Sequence, residues 1–306
     1  MRGRDFLSIR DLNPEELQHL LQRAAELKTR GKAGDRPTPL RGKVLALVFE
    51  KPSLRTRTTF EAGMFLLGGH AVYLGPSDIQ MGSRETPADV ARNLERWVDG
   101  IAARTFAQST VEALAEHAHI PVINALSDRE HPCQALAALL TIQERFGRLE
   151  GIRLAWVGDG NNVLRSLLYG GAQLGMAIAV ATPNDYALDA DTVRQGRALA
   201  DAAHSVLEFT DDPVAAVRDA DVIYTDVWTS MGQEATAAAR RRAFARYQVS
   251  AALLAHAPAH AVVTHCLPAH RGEEITDEVL DGPRSVAFDE AENRLHTQKA
   301  LLAEVL

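Results

Sequence analysis

The chain has 306 residues, 46% of them hydrophobic and 24% charged, with a formal net charge of −7. That is an ordinary globular composition, long enough for one large domain or two of usual size. It argues against nucleic acid or an acidic membrane as a partner, so any anion must be captured locally. The two cysteines, Cys133 and Cys266, are too few for a disulfide framework.

The opening residues, MRGRDFLSIRDLNPEEL, carry early acids and no apolar stretch of signal-peptide length. No later apolar run is long enough to span a membrane, and the expected location is the cytoplasm. Asn13-Pro14-Glu15-Glu16 is a helix start with a cap, a first-turn proline and acids, and predicts a helix over Leu12 to Leu27.

Strands and helices then alternate. Gly42 to Phe49, His70 to Leu74, Gly100 to Thr105 and Ile120 to Leu126 read as strands. Helical patterns run over Thr86 to Val98, Thr110 to His117 and His131 to Phe146. The rhythm restarts with IRLAWVG, MAIAVATP, SVLEFT, DVIYTDV and HAVVTHCLP as strands, and Asp289 to Leu306 closes as a helix. ATAAARRRAFARY, from Ala235, is helix-prone, with its arginine triplet on a solvated face.

This alternation predicts an α/β protein of two doubly wound domains, parallel sheets with helices on both faces, linked by interdomain helices. The boundary is placed near Glu150, giving domains 1–150 and 151–306, with the C-terminal helix packing back on the first. Open parallel sheets bind ligands beyond their strand C-termini.

The candidate residues fall there. FEKPSLRTRTTFEAG, from Phe49, places Arg55 and Arg57 in the first turn of a helix capped by Ser53. Cations at a helix N-terminus oppose the macrodipole by roughly 0.3–1 kcal/mol each. Unpaired N–H groups, hydroxyls and two guanidinium forks make such a turn a phosphate cradle. Arg104 ends an apolar strand before a polar loop, where an arginine is more often buried in a salt bridge than catalytic. His131 and Gln134, in SDREHPCQAL, share a helical i, i+3 spacing, and a His-Pro turn is also a structural cap.

In the second half, Gly158 and Gly160 of VGDGNNVLRS resemble the dinucleotide fingerprint, but Val163 stands in place of its third glycine. Asn161 and Asn162 instead offer amides at a helix N-terminus. Asp226 ends a strand in DVIYTDVWTSMGQE, where a lone acid is often a cap, and Ser230, Met231 and Gly232 follow on the loop. His265, Cys266 and His270 lack a fourth ligand at useful spacing for zinc, so no metal is expected.

Together SLRTR, Arg104, HPCQ, GDGNN, DVWTSMGQE, HCLPAHRGEE and EAENR resemble the carbamoyltransferases, in order and over nearly the whole chain. SMG with HCLP is characteristic of the ornithine branch; the aspartate branch typically carries HPLP and lacks the SMG loop. The resemblance implies transfer of a carbamoyl group from carbamoyl phosphate to the side-chain amine of L-ornithine, with no cofactor. It also implies a homotrimer or an assembly of trimers with active sites at subunit interfaces. Sister enzymes acting on putrescine, N-acylated ornithine or aspartate are the alternative.

By the same resemblance Ser53, Leu54, Arg55, Thr56 and Arg57 hold the phosphate, Leu54 standing where threonine is commoner. Arg104, His131 and Gln134 hold the carbamoyl end, and Gln80 reaches a neighbouring subunit's site. Arg294 of EAENR is a further ligand contact. Asn162, Asp226, Ser230 and Met231 form the ornithine set, and Cys266 and Leu267 match the segment between the ligands. Arg104, His131, Asp226 and Cys266 are the expected catalytic residues, with Cys266 oriented by Asp226 and forming no covalent intermediate.

Overall fold

The computed structural model describes residues 1–230, 232 and 234–306. The chain divides into two compact units, residues 1–140 with 292–306, and residues 141–291.

In the first unit β1 (Val44–Phe49), β2 (His70–Leu74), β3 (Gly100–Arg104) and β4 (Val122–Leu126) form a parallel sheet in the order β2-β1-β3-β4. β1 and β3 are buried along nearly their whole length, as uninterrupted apolar runs require. Around them lie α1 (Pro14–Lys32), α2 (Leu54–Leu66), α3 (Pro76–Ile79), α4 (Pro87–Leu94), α5 (Gln108–His117) and the start of α6 (Pro132–Phe146). α1 opens as its sequence predicts: Asn13 Oδ1 accepts from Glu16 N (2.8 Å), and Glu16 Oε2 accepts from Asn13 N (3.1 Å). The helix expected over Thr86 to Val98 ends earlier, at Leu94. Phe6 bridges Ile123, so the N-terminal segment covers the β4 edge.

In the second unit β5 (Arg153–Val157), β6 (Ala177–Ala181), β7 (Leu207–Thr210), β8 (Val222–Thr225) and β9 (Val262–His265) form a parallel sheet ordered β7-β6-β5-β8-β9. Its helices are α7 (Asn162–Gln173), α8 (Ala190–Ala202), α9 (Pro213–Val217), α10 (Ala237–Phe244), α11 (Ala251–Leu254) and α12 (Asp277–Leu280). α13 (Ala287–Val305) begins in this unit and ends in the first. The core gathers Val157, Ile223, Trp228, Phe244, Tyr247 and Val263.

Each sheet reverses its winding once, between β1 and β3 and between β5 and β8. At such a point the loops leaving adjacent strands go opposite ways and open a crevice at the strand C-termini. SLRTR follows β1 and Arg104 ends β3; Gly158 to Asn162 follows β5 and Asp226 follows β8. No helix among the described residues is long and apolar enough to cross a membrane.

His296, on α13, is 7% exposed. Burial, then the charges of Lys299 and Lys28, lower its pKa to about 4. The unfolded imidazole titrates near 6.5, so the unfolded state binds more protons between these values, and stability falls as pH drops from 6.5 to 4. The loss attributable to this group is about 3 kcal/mol. Urea unfolding of wild type and His296→Gln at pH 7.5 and pH 4 should show that much extra acid sensitivity in wild type; parallel curves would contradict it.

Candidate active site

In the first unit the candidate residues gather around a buried histidine. Ser53 caps α2, its Oγ accepting from Thr56 N (3.1 Å), which places Arg55 and Arg57 in the opening turns. Thr56 is buried and its Oγ1 accepts from Arg294 Nη2 (3.1 Å); Arg294 Nη1 donates to Gln134 Oε1. One buried guanidinium therefore ties the cradle helix α2 to α6. Arg104 and His131 are also nearly buried, at 9% and 5% exposure.

His131 reports the electrostatics of this cluster. Its pKa is held well below the usual imidazole value, first by burial and then by the charges of Arg294, Arg104, Arg55 and Lys51. The positive charge acting on this uncharged ring favours an anion nearby. Lys51, in the turn between β1 and α2, was not among the candidate residues. It is 9% exposed, lies over the Phe106 ring (4.8 Å), and has its pKa lowered by burial and then by Arg104. Its signal was available: a lysine leaving an apolar strand just before the cradle.

Three predicted residues stand apart from this cluster. Leu54 is 76% exposed. Arg57 Nε donates to Glu61 Oε1 (2.9 Å), and its guanidinium stacks on Tyr73 at 3.6 Å. Gln80 ends α3 with a left-handed φ of 51° and lines a cavity of about 290 Å³ with Phe49, Glu50, Met81 and Phe106, among others. None of the cradle residues lines that cavity.

In the second unit the candidate residues gather around one carboxylate. Asp226, 5% exposed, accepts at Oδ1 from Val227 N (2.7 Å) and the Cys266 thiol (2.7 Å), and at Oδ2 from Asn161 Nδ2 (2.6 Å). Asn161 is also the N-cap of α7, its Oδ1 accepting from Val163 N and Leu164 N. Asn162 is the first residue of that helix, and Ser230 is partly buried on the loop after β8. Met231 lies outside the described residues. The sequence reading placed Asn161 at the helix end but did not connect it to Asp226, because that bond spans 65 residues.

Cys266 is followed by Leu267, which has a left-handed φ of 56° and precedes a cis proline. His265 Nδ1 accepts from Leu267 N (2.8 Å), so the ring proton sits on Nε2, 3.0 Å from Glu274 Oε1. Glu274 also accepts from His270 N (2.6 Å). This buried His–Glu pair fixes the turn that presents Cys266. Asp226, His265 and Cys266 have donor atoms within 4.8 Å of one another, the geometry of a metal cluster. Both nitrogens of His265 are committed, however, and the thiol is bonded to the carboxylate, so the set does not fit an ion.

Nor does the GDG turn await a dinucleotide. A Cβ on Gly160 would lie 2.5 Å from Tyr186 O and 2.7 Å from Leu188 N, and Gly160 N donates to Tyr186 O (2.9 Å). The glycine is required by the chain's own backbone.

The solvated-face reading of the arginine triplet fails at Arg240. Its side chain is 12% exposed and paired with Asp159. A helical run of polar residues says nothing about which of them meets a buried acid from another strand end.

Two family models match the chain. The carbamoyl-P binding domain of aspartate/ornithine carbamoyltransferase covers residues 4–144, and the Asp/Orn binding domain covers residues 150–305. The chain belongs to the aspartate/ornithine carbamoyltransferases. Within that family it is 51% identical to the ornithine carbamoyltransferase of Anoxybacillus flavithermus over 306 residues, all of this chain and 98% of that one. It is 54% identical to that of Gloeobacter violaceus over 302 residues, 99% and 95% of the two chains. The structure of the Pyrococcus furiosus ornithine carbamoyltransferase superposes with a TM-score of 0.97 at 50% identity, covering 99% of this carbamoyltransferase and 97% of that one.

Proposed function

We propose that this chain transfers the carbamoyl group of carbamoyl phosphate to the side-chain amine of L-ornithine, giving L-citrulline and phosphate, as a step of arginine biosynthesis. The observation that carries the reading is the buried set Thr56, Arg104, His131, Gln134 and Arg294, with Arg294 bonded to both Thr56 and Gln134, in the unit that matches a carbamoyl-phosphate-binding domain.

The anionic phosphate is held by Ser53, Arg55 and Thr56, with the backbone N–H of Leu54, and by Arg57 once it leaves Glu61 and the Tyr73 ring. The carbamoyl group is held by Arg104, His131 and Gln134. Attack of the amine on the carbonyl carbon moves charge onto the oxygen. Arg104 and the neutral His131 ring stabilise that charge where it develops. Collapse of the tetrahedral adduct breaks the C–O bond to phosphate, which leaves with the electron pair, while the attacking nitrogen gives up its proton. Arg294, which orders Thr56 and Gln134, supports both steps.

The amine must attack unprotonated. A lysine-like amine has a pKa near 10.4, so neutralising it at pH 7.4 costs about 4 kcal/mol in water. Desolvation in a closed site lowers that cost. Asp226 takes the α-ammonium, Asn162 and the Ser230–Met231 loop take the carboxylate, and Cys266 with Leu267 positions the reactive end. Juxtaposing the two substrates adds a proximity effect worth several kcal/mol.

The chain works in the cytoplasm as a homotrimer or an assembly of trimers, with Gln80 serving a neighbouring subunit. Phe65 at 77%, Trp97 at 71% and Phe106 at 54% exposure support association, since large apolar side chains left in water on one unit favour a partner surface.

The test is a citrulline assay with carbamoyl phosphate and L-ornithine, run beside putrescine, N-acetylornithine and aspartate. A strong preference for ornithine is expected. Preference for another acceptor would keep the phosphate cradle and overturn the assignment of Asp226.

A further inference from the structure

Arg240 binds three segments that leave three different strands of the second sheet. Its Nη1 lies 3.0 Å from Asp159 Oδ1, in the turn after β5, and donates to Trp228 O (2.8 Å), in the loop after β8. Its guanidinium lies 4.8 Å from the centre of the Tyr186 ring, in the segment after β6. Both charged side chains are nearly buried, at 12% and 8% exposure. A buried ion pair is a weak stabiliser, because removing two charges from water offsets most of their attraction; where such a pair serves a purpose, it is registry.

The segments it holds in register carry the residues proposed to bind ornithine. Asp159 is two residues before Asn161, which bonds Asp226, and three before Asn162. Trp228 is two residues before Ser230. In the loop, Trp228 Nε1 and Thr229 Oγ1 are buried with no hydrogen-bond partner among the described residues, so the Arg240 bond to Trp228 O is a polar tie from this stretch to α10. Burial also pushes the Asp159 carboxyl up to about 6 against the pull of Arg240, so the acid is held ionised largely by its partner.

We propose that Arg240, through Asp159 and the Trp228 carbonyl, is a positioning residue for ornithine: it sets the separation between the Asn161–Asn162 turn and the Ser230 loop, so that the contacts to the α-ammonium and α-carboxylate form together. This rests on the ornithine reading above.

The experiment has two arms. In steady-state kinetics, Arg240→Met should raise KM for ornithine roughly 10–100-fold, the cost of a small misplacement, and leave KM for carbamoyl phosphate near the wild-type value. Arg240→Lys, which keeps the charge opposite Asp159 but loses the forked geometry, should fall between and serves if the methionine variant does not fold. Asp159→Asn combined with Arg240→Met should be no worse than Arg240→Met alone. Arg241→Ala, on the exposed arginine paired with Glu273, is the control and should change neither constant. An equal rise in both KM values, or an unchanged ornithine KM in folded Arg240→Lys and Arg240→Met, overturns the proposal.

In the second arm, without substrates, amide hydrogen exchange over Val227 to Ser230 should quicken in the variants while β5 and β8 keep their protection. Unchanged exchange there also overturns the proposal. If the wild type made no citrulline from ornithine, the proposed activity would fail on its own, and exchange would still decide whether Arg240 holds the loop.

Discussion

Arg104→Met is expected to lower kcat/KM for citrulline formation by about 10²–10³-fold, the usual cost of removing one preorganised donor from a developing oxyanion. The position makes the effect large. Arg104 ends β3 at the crevice opened where the sheet reverses, and its side chain is 9% exposed, so water does not replace it freely. Its partner in the task, His131, is kept neutral by burial and by four cations, one of them Arg104. Loss of Arg104 therefore removes a donor and relaxes the field that keeps the ring uncharged. The methionine substitution retains bulk and β-strand compatibility, so thermal unfolding should change little beside the rate. A variant with wild-type kcat/KM would return Arg104 to the reading of a structural salt-bridge residue.

Asp226→Asn is expected to cost about 10²–10³-fold in kcat/KM for ornithine, in line with removing one member of a buried, hydrogen-bonded charge pair. The carboxylate accepts three bonds, from Asn161, Val227 and Cys266. An amide offers one acceptor atom and one donor group. Whichever way it turns, an NH₂ faces either the Asn161 Nδ2 donor or the Val227 N–H and Cys266 thiol. The substrate's α-ammonium also loses its countercharge. On the proposed function carbamoyl phosphate is met by Arg104, His131 and the α2 turn of the first unit, so its KM should stay within a few-fold. A variant in which the carbamoyl phosphate KM rises instead would move Asp226 out of the ornithine set.

Parts of this site could be read directly. Ser53 as cap, with Arg55 and Arg57 in the turn it opens, follows from residue chemistry within a few positions, and α2 starts where that reasoning places it. The capping box of α1 was equally local. Other parts had no local mark. Lys51 looked like a turn residue until the fold buried it beside Arg104. Glu274 had no role assigned from its sequence, yet it is fully buried against His265. Arg240 sat in a triplet of identical residues, and only packing distinguishes it from Arg241, whose side chain is 58% exposed.

The sequence by itself determined where the chain turns from strand to helix, which strands are covered on both faces, and that cations cluster at helix starts. Those features depend on periodicity, capping and side-chain chemistry over a few residues, and their free energies are local. The tertiary structure decided the orders β2-β1-β3-β4 and β7-β6-β5-β8-β9, and with them which strand ends share a crevice. It alone brought Cys266 to Asp226 across 40 residues and Arg294 to Thr56 across 238. Pairings of that span are set by sheet register and by the cost of burying a polar group without a partner, and neither leaves a trace in neighbouring residues.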